Sequence, residues 1–154
     1  MKNRQACLLM VACLFCAQLQ AFSQAPVFTG TWVLNLEKSR LENKPDGLTG
    51  SIFIIEQNGN RFRLTRYHLF GEKKNKIRFT MIADGKTRRM KILFKSKLEN
   101  TENGLRATIW RKHFSNIVHY KFGNNPDEFI ADEVFTGKSG RHHNSWVFEK
   151  QPSQ

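Results

Sequence analysis

Apolar and polar residues alternate with a period of two along most of the chain from Thr31 onward. This alternation is typical of strands that bury one face, and groups of Gly, Asn, Asp and Pro interrupt it at short intervals. The pattern predicts strands over residues 31–36, 52–57, 61–68, 76–82, 90–98, 105–114, 117–122, 129–136 and 141–149. Turns are predicted over residues 58–60, 71–75, 83–86, 100–104, 115–116, 124–127 and 138–140.

The predicted strands follow one another with only short connections between them. Consecutive hairpins favour an up-and-down meander, and the strand spacing fits either a barrel or a sandwich. The best helical candidate, residues 36–48, is interrupted by Pro45, so no helix longer than a turn or two is expected. We therefore predict an all-β domain, most simply an antiparallel up-and-down β-barrel of about eight to ten strands.

The first 23 residues follow a different pattern. Two positive residues precede an apolar run over residues 6–17, and residues 21–23 form a small-x-small cleavage sequence. This order is that of a secretory signal peptide, and a run of about 12 residues is too short to cross a bilayer as a helix. We expect a secreted or periplasmic domain that begins near Gln24. Acylation at Cys13, as in bacterial lipoproteins, is the competing interpretation.

The composition excludes several classes of protein. Forty per cent of the residues are hydrophobic, with 10 Gly and 4 Pro, which excludes disordered and collagen-like chains. All three cysteines lie in the predicted signal peptide, so the mature chain has no thiol for disulfides, catalysis or metal binding. The formal net charge is +12, and cleavage would remove two positive charges to leave +10. This surplus favours anionic partners.

Both ends of the predicted domain carry sequences typical of one group of barrels. Residues 28–34 read Phe-Thr-Gly-Thr-Trp-Val-Leu, which resembles the Gly-x-Trp start of the lipocalins and the Phe-x-Gly-Thr-Trp-x-Leu start of the fatty-acid-binding proteins. Residues 145–150 resemble the last strand of the same group, the calycins. With Lys38-Ser39 and the Ala-Asp-Gly-Lys sequence at 83–86, the chain is similar to small secreted bacterial lipocalin-like proteins of unassigned function. The resemblance implies an up-and-down barrel that holds an apolar ligand.

The chain departs from the fatty-acid-binding proteins in two places. Those proteins end with an Arg-x-Tyr pair that clamps the ligand carboxylate, and the corresponding positions here hold Trp146 and Phe148. They also insert two lid helices after the first strand, whereas residues 37–49 are too few for a helical pair. The usual carboxylate clamp is therefore not expected.

Strand alternation selects the residues that would line the barrel. Arg66, His68 and Glu133 are in phase with apolar residues of their own strands. A charge inside a barrel is costly unless it is paired or bound to a ligand. We therefore expect an Arg66–Glu133 pair or an Arg66 that meets an anionic head group, unless these positions reach solvent at strand ends. The predicted ligand-binding residues are Phe62, Leu64, Arg66, His68, Ile77, Phe79, Met81, Met90, Ile92, Phe94, Trp110, Glu133 and Trp146.

A run of basic residues between positions 73 and 97 supports a second hypothesis. Neighbouring strands would bring these residues together as one positive face, which would attract polyanions such as lipopolysaccharide, anionic lipids or acidic glycans. Nucleic acid is not expected, because the chain has no recognition helix and no paired aromatic ribonucleoprotein motif. A solvated outer face is the alternative. The predicted polyanion-binding residues are Lys73, Lys74, Lys76, Arg88, Arg89, Lys91, Lys95 and Lys97.

No motif predicts a metal, a cofactor or a reaction. His142 and His143 are adjacent on a strand, so they point to opposite faces and only one can join a given site. No nucleophile-elbow or triad motif is present. The first hypothesis is therefore a monomeric binding protein for a small, largely apolar or amphiphilic ligand. An envelope-binding module is the second, and an enzyme that uses the same pocket is the third.

Overall fold

The computed structural model describes residues 27–152, and all regular secondary structure in that range is β-strand. The predicted signal peptide over residues 1–23 and the competing site at Cys13 lie outside the described residues. Between residues 27 and 152, no helix is long and apolar enough to cross a membrane. The ten strands are β1 (Gly30–Leu41), β2 (Gly50–Asn58), β3 (Arg61–Phe70), β4 (Lys73–Ile82), β5 (Arg88–Met90), β6 (Phe94–Thr101), β7 (Gly104–Arg111), β8 (Phe114–Phe122), β9 (Glu128–Gly137) and β10 (Gly140–Lys150).

The strands form one antiparallel sheet that curls around a single core. Each strand pairs with the next one along the chain, except at the step from β4 to β5, and β1 also pairs with β10. The order is therefore β4-β3-β2-β1-β10-β9-β8-β7-β6-β5. An isolated parallel bridge joins Ala83, just after the edge strand β4, to Leu98 of β6, the neighbour of the other edge strand β5. The predicted up-and-down architecture is confirmed, as an incompletely closed barrel.

The meander gives the barrel two distinct ends. Because successive strands run in opposite directions, the connections that follow the odd-numbered strands all lie at one end, which we call the open end. The connections that follow the even-numbered strands, together with the start of β1, lie at the other end, the floor end. The longest open-end connection covers residues 42–49, between β1 and β2.

Aromatic side chains close the floor end. The indole N–H of Trp32 donates a 2.8 Å hydrogen bond to the carbonyl of Phe28, so its polar atom is satisfied although the side chain is buried. Phe129 meets Trp32 edge-on at 4.8 Å between ring centroids and stacks on Phe148 at 4.7 Å. Such pairs add about 0.5–1.5 kcal/mol each beyond the burial of their apolar area. The floor is thus a rigid base on which the rest of the interior is built.

The prediction of a single strand over residues 90–98 is wrong. β5 ends at Met90 and β6 begins at Phe94, and these two residues are cross-strand partners. Lys91 has a φ of 59°, in the left-handed region, where the chain reverses. No Gly, Asn or Pro marks this turn, and the apolar–polar alternation continues across it. The turn instead projects Ile92 and Leu93 at the open end, where they are 83% and 69% exposed.

The predicted hairpin at residues 83–86 is also wrong. Asp84 accepts a 3.0 Å hydrogen bond from the backbone N–H of Lys86 and pairs with Arg88 at 2.6 Å, which stabilises a local turn. β4 and β5 do not pair on either side of it. The segment is therefore where the sheet opens.

The turn predicted at residues 115–116 lies three residues earlier. The chain reverses at Lys112 and His113, and His113 has a φ of 59°. Because β8 consequently begins at Phe114, Asn116 is a strand residue rather than a turn residue. The earlier start of β8 thus allows Phe114 and Asn116 to form part of one wall of the interior.

Candidate ligand-binding site

A cavity of about 390 Å³ lies inside the barrel, between the aromatic floor and the open end. It reaches the surface beside Asn43 and Pro45, two exposed residues of the β1–β2 connection. Its wall is mainly aromatic and aliphatic with a few polar groups, which is the usual composition of a small-molecule site. The lining residues are Asn43, Pro45, Phe53, Arg66, His68, Phe114, Asn116, Val118, Tyr120, Ala131, Glu133, Phe135, Asn144 and Trp146.

The pairing register places the polar lining residues around Glu133. Glu133 of β9 lies directly opposite Val118 of β8 and Asn144 of β10. Asn116 comes two residues before Val118, and Trp146 comes two residues after Asn144, so both point to the same face and lie diagonally across from Glu133. The pairing register of β8, β9 and β10 therefore brings three hydrogen-bond donors to one carboxylate.

Glu133 is held by those three donors. Asn116 Nδ2 donates to Oε1 at 2.7 Å, Asn144 Nδ2 donates to Oε2 at 3.0 Å, and Trp146 Nε1 donates to Oε2 at 2.9 Å. An ionised carboxylate offers about four acceptor positions, so three are filled by the protein itself. The carboxylate is therefore fixed in the wall of the cavity before any ligand arrives.

Arg66 lies in the same cavity without a carboxylate partner. Among residues 27–152 it forms no ion pair, and its Nε is buried with no hydrogen-bond partner. Burial lowers the pKa of the guanidinium from its ordinary value, and the nearby Tyr120 and Glu133 oppose that effect. The predicted direct Arg66–Glu133 pair is therefore not formed. Both charges face one cavity and remain separate.

His68 is held neutral beside Arg66. Burial, and then the positive charge of Arg66, lower the pKa of its imidazole from 6.5 to about 4, although Glu133 acts in the opposite direction. The ring lies 6.1 Å from the Trp146 ring, and its Nδ1 is buried without a hydrogen-bond partner. His68 therefore presents a neutral nitrogen to the cavity at physiological pH.

The structure distributes the predicted ligand-binding residues over several environments. Arg66, His68, Glu133 and Trp146 line the cavity. The other inward-facing residues lie in the core or at its margins rather than on the cavity wall. Those residues are Phe62, Leu64 and Met81, which are buried; Phe79, which packs against the core; Ile77, which is 37% exposed; Met90, in a crevice with Met81; and Phe94, whose ring lies 5.6 Å from that of Phe114.

Two predicted cavity residues point away from the interior. Ile92 lies in the β5–β6 turn, where it is almost fully exposed. On β7, Leu105 and Ala107 are the buried residues, so Trp110 has the opposite phase and lies in an outer groove. A shift of one residue moves a strand side chain to the other face. The prediction that Trp110 and Ile92 line the cavity is therefore wrong, because both lie on the surface.

Sequence reasoning missed much of the wall that β8 and its neighbours supply. These residues do carry a signal, because Phe114, Asn116, Val118 and Tyr120 recur with a period of two. Assigning Asn116 to a turn concealed that period. The remaining missed lining residues are Asn43, Pro45, Phe53, Ala131, Phe135 and Asn144.

The predicted basic residues are carried by β4, β5, β6 and their turns, and acidic partners neutralise two of them. Arg88 pairs with Asp84 at 2.6 Å, and Lys97 pairs with Glu99 at 2.8 Å. The Nζ atoms of Lys74 and Lys76 lie 4.1 and 5.5 Å from the ring centroid of Tyr67. Within the described part of the chain, the exposed residues without an acidic partner include Lys73, Arg89, Lys91 and Lys95.

The described residues contain no group of three or more His, Asp or Glu side chains placed to hold a metal ion. His142 and His143 lie on opposite faces of β10, as adjacent strand residues must. His142 makes a 3.0 Å contact from Nε2 to the carbonyl of Ser139, and its ring stacks with that of Phe135. These contacts account for His142 structurally.

Solved structures with this fold include binding proteins of the calycin type. Fatty-acid-binding protein 1 of Echinococcus granulosus matches with a TM-score of 0.61 and 11% identity, over 81% of this chain and 98% of that one. Zebrafish ileal bile acid-binding protein, complexed with cholic acid, matches with a TM-score of 0.54 and 15% identity, over 80% and 98%. A secretory abundant heat soluble protein from Ramazzottius varieornatus matches with a TM-score of 0.55 and 15% identity, over 80% and 95%.

These matches confirm the resemblance to the calycin barrels at the level of the fold. The narrower resemblance to bacterial lipocalin-like proteins gains no support from them, because none of the three comes from a bacterium. No protein-family model matches the sequence, and no curated protein sequence does.

Proposed function

We propose that this protein is a monomeric carrier that binds one small, largely apolar or amphiphilic molecule inside the barrel. The observation that carries the proposal is the cavity of about 390 Å³, which has an apolar wall and a set of unpartnered polar atoms. A cavity of this size is at the lower end of the range that holds small organic ligands. The fatty-acid-binding and bile acid-binding proteins that share the fold support the same kind of function.

Arg66 is the polar anchor in this proposal. The Arg66 guanidinium has a buried Nε and no carboxylate partner, so it loses hydration that the protein does not replace. A ligand oxygen placed at Arg66 restores that interaction, and the apolar part of the ligand then lies against Phe53, Phe135 and Trp146. The ligand is therefore oriented with its polar end toward β3.

Filling the cavity tests the proposal directly. Val118 lines the cavity, whereas its neighbour Ile117 points outward and is 38% exposed. We expect Val118→Trp to abolish the binding of a fluorescent apolar probe, such as an anilinonaphthalene dye, while Ile117→Trp leaves binding unchanged. Equal binding by both variants would show that the dye binds elsewhere and that the cavity is not a ligand site.

We also propose that the protein acts outside the cytoplasm after removal of residues 1–23. The positive start, the short apolar run and the small-x-small sequence support this proposal. Mass spectrometry of the protein recovered from the periplasm or medium should give a chain that starts near Gln24. A chain that starts at an acylated Cys13 would replace this proposal with a lipoprotein.

A second candidate function is binding to anionic envelope surfaces through the basic residues at positions 73–97. It is favoured by the β5–β6 turn, where the exposed Ile92 and Leu93 lie beside Lys91. Apolar residues among cations suit an interface with anionic lipid. The finding that Arg88 and Lys97 are paired with acids leaves fewer free charges for this purpose than the sequence predicted.

Charge reversal tests whether binding depends on this surface or only on the net positive charge of the protein. We expect the triple variant Arg89→Glu, Lys91→Glu and Lys95→Glu to lose retention on vesicles that contain phosphatidylglycerol. The matched control reverses Lys44, Lys138 and Arg141, which are exposed cations on other connections and on β10. If both variants lose retention equally, the net charge and not this surface is responsible.

A further inference from the structure

Three buried side-chain atoms without a hydrogen-bond partner occur in the described part of the chain, and all three belong to cavity-lining residues. They are Arg66 Nε, His68 Nδ1 and Asn116 Oδ1. Buried polar atoms are rarely left unpaired, because each one costs about 1–3 kcal/mol. All three belong to residues of one cavity, where a single bound molecule can supply the missing partners.

These atoms differ in what they require. The Arg66 guanidinium is only a donor, so it needs an acceptor. The Asn116 amide already donates to Glu133, and its free Oδ1 is only an acceptor, so it needs a donor. Glu133 has one acceptor position left after its three hydrogen bonds, and this position also needs a donor. The unmet requirements are therefore of both kinds.

A simple carboxylate meets only part of these requirements. It would accept from Arg66, but it has no donor for Asn116 Oδ1 or Glu133. It would also bring a second negative charge into the cavity that already holds the Glu133 carboxylate, in surroundings where charges are poorly screened. A simple ammonium group has the opposite deficiency, because it would donate to Glu133 and face the positive charge of Arg66.

We infer that the cavity selects a ligand whose polar end carries an acceptor and an N–H or O–H donor together, with no net charge. This inference rests on the proposed function and specifies the class of ligand. The acceptor meets Arg66, the donor meets Asn116 Oδ1 and Glu133, and the two protein charges are both compensated. An α-amino acid group on an apolar chain and a neutral amide or hydroxyl-bearing polar end share this chemistry.

Three probes with matched chains separate the possibilities by isothermal titration calorimetry at neutral pH. They are decanoate, decylammonium and 2-aminodecanoate, which carry an acceptor only, a donor only and both. The wild-type protein should bind 2-aminodecanoate at least about ten-fold more tightly than either singly charged probe, as expected for one additional charge-assisted hydrogen bond. This ranking needs no variant, so it stands even if a substitution impairs folding.

Two variants test whether Glu133 and Arg66 cause the preference for 2-aminodecanoate. Glu133→Gln should strengthen decanoate binding and reduce the preference for 2-aminodecanoate. Arg66→Met should weaken both carboxylate-bearing probes and strengthen decylammonium. Glu99→Gln and Arg63→Met are the matched controls, because these two residues lie on the outer face, and both should leave the ranking unchanged.

The outcomes separate this inference from the proposed function. If decanoate binds as tightly as 2-aminodecanoate and Glu133→Gln changes neither, the inference is wrong and the carrier function stands. If no probe binds and the anilinonaphthalene dye also fails to enter the cavity, the proposed function is wrong, and this inference falls with it.

Discussion

Trp146 of β10 donates its indole N–H to Oε2 of Glu133 of β9 at 2.9 Å, although the two residues are not direct cross-strand partners. Trp146 lies opposite Ala131, and Glu133 lies opposite Asn144, so the bond runs diagonally across the ladder. The tryptophan therefore serves both as apolar wall and as a donor to the charged group of the cavity.

Replacing Trp146 should reveal the second of these roles. Trp146→Phe keeps an aromatic wall but removes the donor, and a hydrogen bond to a charged group contributes about 1.5–3 kcal/mol. We expect the free energy of unfolding to fall by about 2 kcal/mol in urea titrations followed by circular dichroism. Trp110→Phe, on the outer face, is the control and should change it by less than about 0.5 kcal/mol. Similar losses in both variants would contradict the role assigned to Trp146.

Phe129 should be the most costly ring to remove from the floor. It contacts Phe28, Trp32 and Phe148 and is fully buried. Phe129→Ala should reduce the free energy of unfolding by about 3–5 kcal/mol, because the rigid floor cannot collapse into the space. Ile92→Ala, at an 83% exposed position, should have almost no effect on the melting temperature. A small loss for Phe129→Ala would show that the floor is adaptable.

Gly104 allows a close approach of β7 to β8. A Cβ at this position would collide with the carbonyl oxygen of Tyr120, which belongs to the backbone and cannot move aside. We expect Gly104→Ala to lower the free energy of unfolding by more than about 2 kcal/mol. Gly50→Ala is the matched control, because its Cβ would lie 3.4 Å from Leu69 Cδ1, an ordinary contact. Equal tolerance of both substitutions would mean that β7 and β8 can separate at this point.

His68 should make the folded state sensitive to acid. Its pKa is about 4 when folded and 6.5 when unfolded, so the unfolded chain binds more protons between these values. Stability therefore falls as the pH is lowered through this window and is unaffected above it. As the pH falls from 6.5 to 4, the free energy of unfolding of the wild type should therefore decrease relative to that of His68→Gln. A difference that stays constant over this range would contradict the role assigned to His68.

The side chains of Arg66, His68 and Glu133 are placed inside by alternation alone, because each lies in a strand with a clear apolar phase. That information is local and is visible in the sequence. The donors to Glu133 are different, since Asn116 and Trp146 reach it through the pairing register of β8, β9 and β10. Register depends on where each turn falls. Two of the turns contain Lys91 and His113 in left-handed conformations, which could not be predicted from their residue types.

The errors at Trp110 and Ile92 have the same origin. Without the turn at Lys91, residues 90–98 read as one strand and Ile92 shares a face with Phe94. Extending β7 to residue 114 gives Trp110 the same phase as Phe114, which in the structure belongs to the next strand. A turn displaced by a few residues thus changes the face of a side chain without changing the number or order of strands.

The helix-free β1–β2 connection has a kinetic consequence for any molecule that enters the barrel. Residues 42–49 contain no helix that must swing away, and Asn43 and Pro45 border a mouth that is already exposed. We expect stopped-flow association to show one exponential phase whose rate rises linearly with ligand concentration, at about 10⁵–10⁷ M⁻¹s⁻¹. Differences in affinity among ligands would then appear in their residence times. We therefore expect release at a rate set by contacts with the cavity wall, without a gating step.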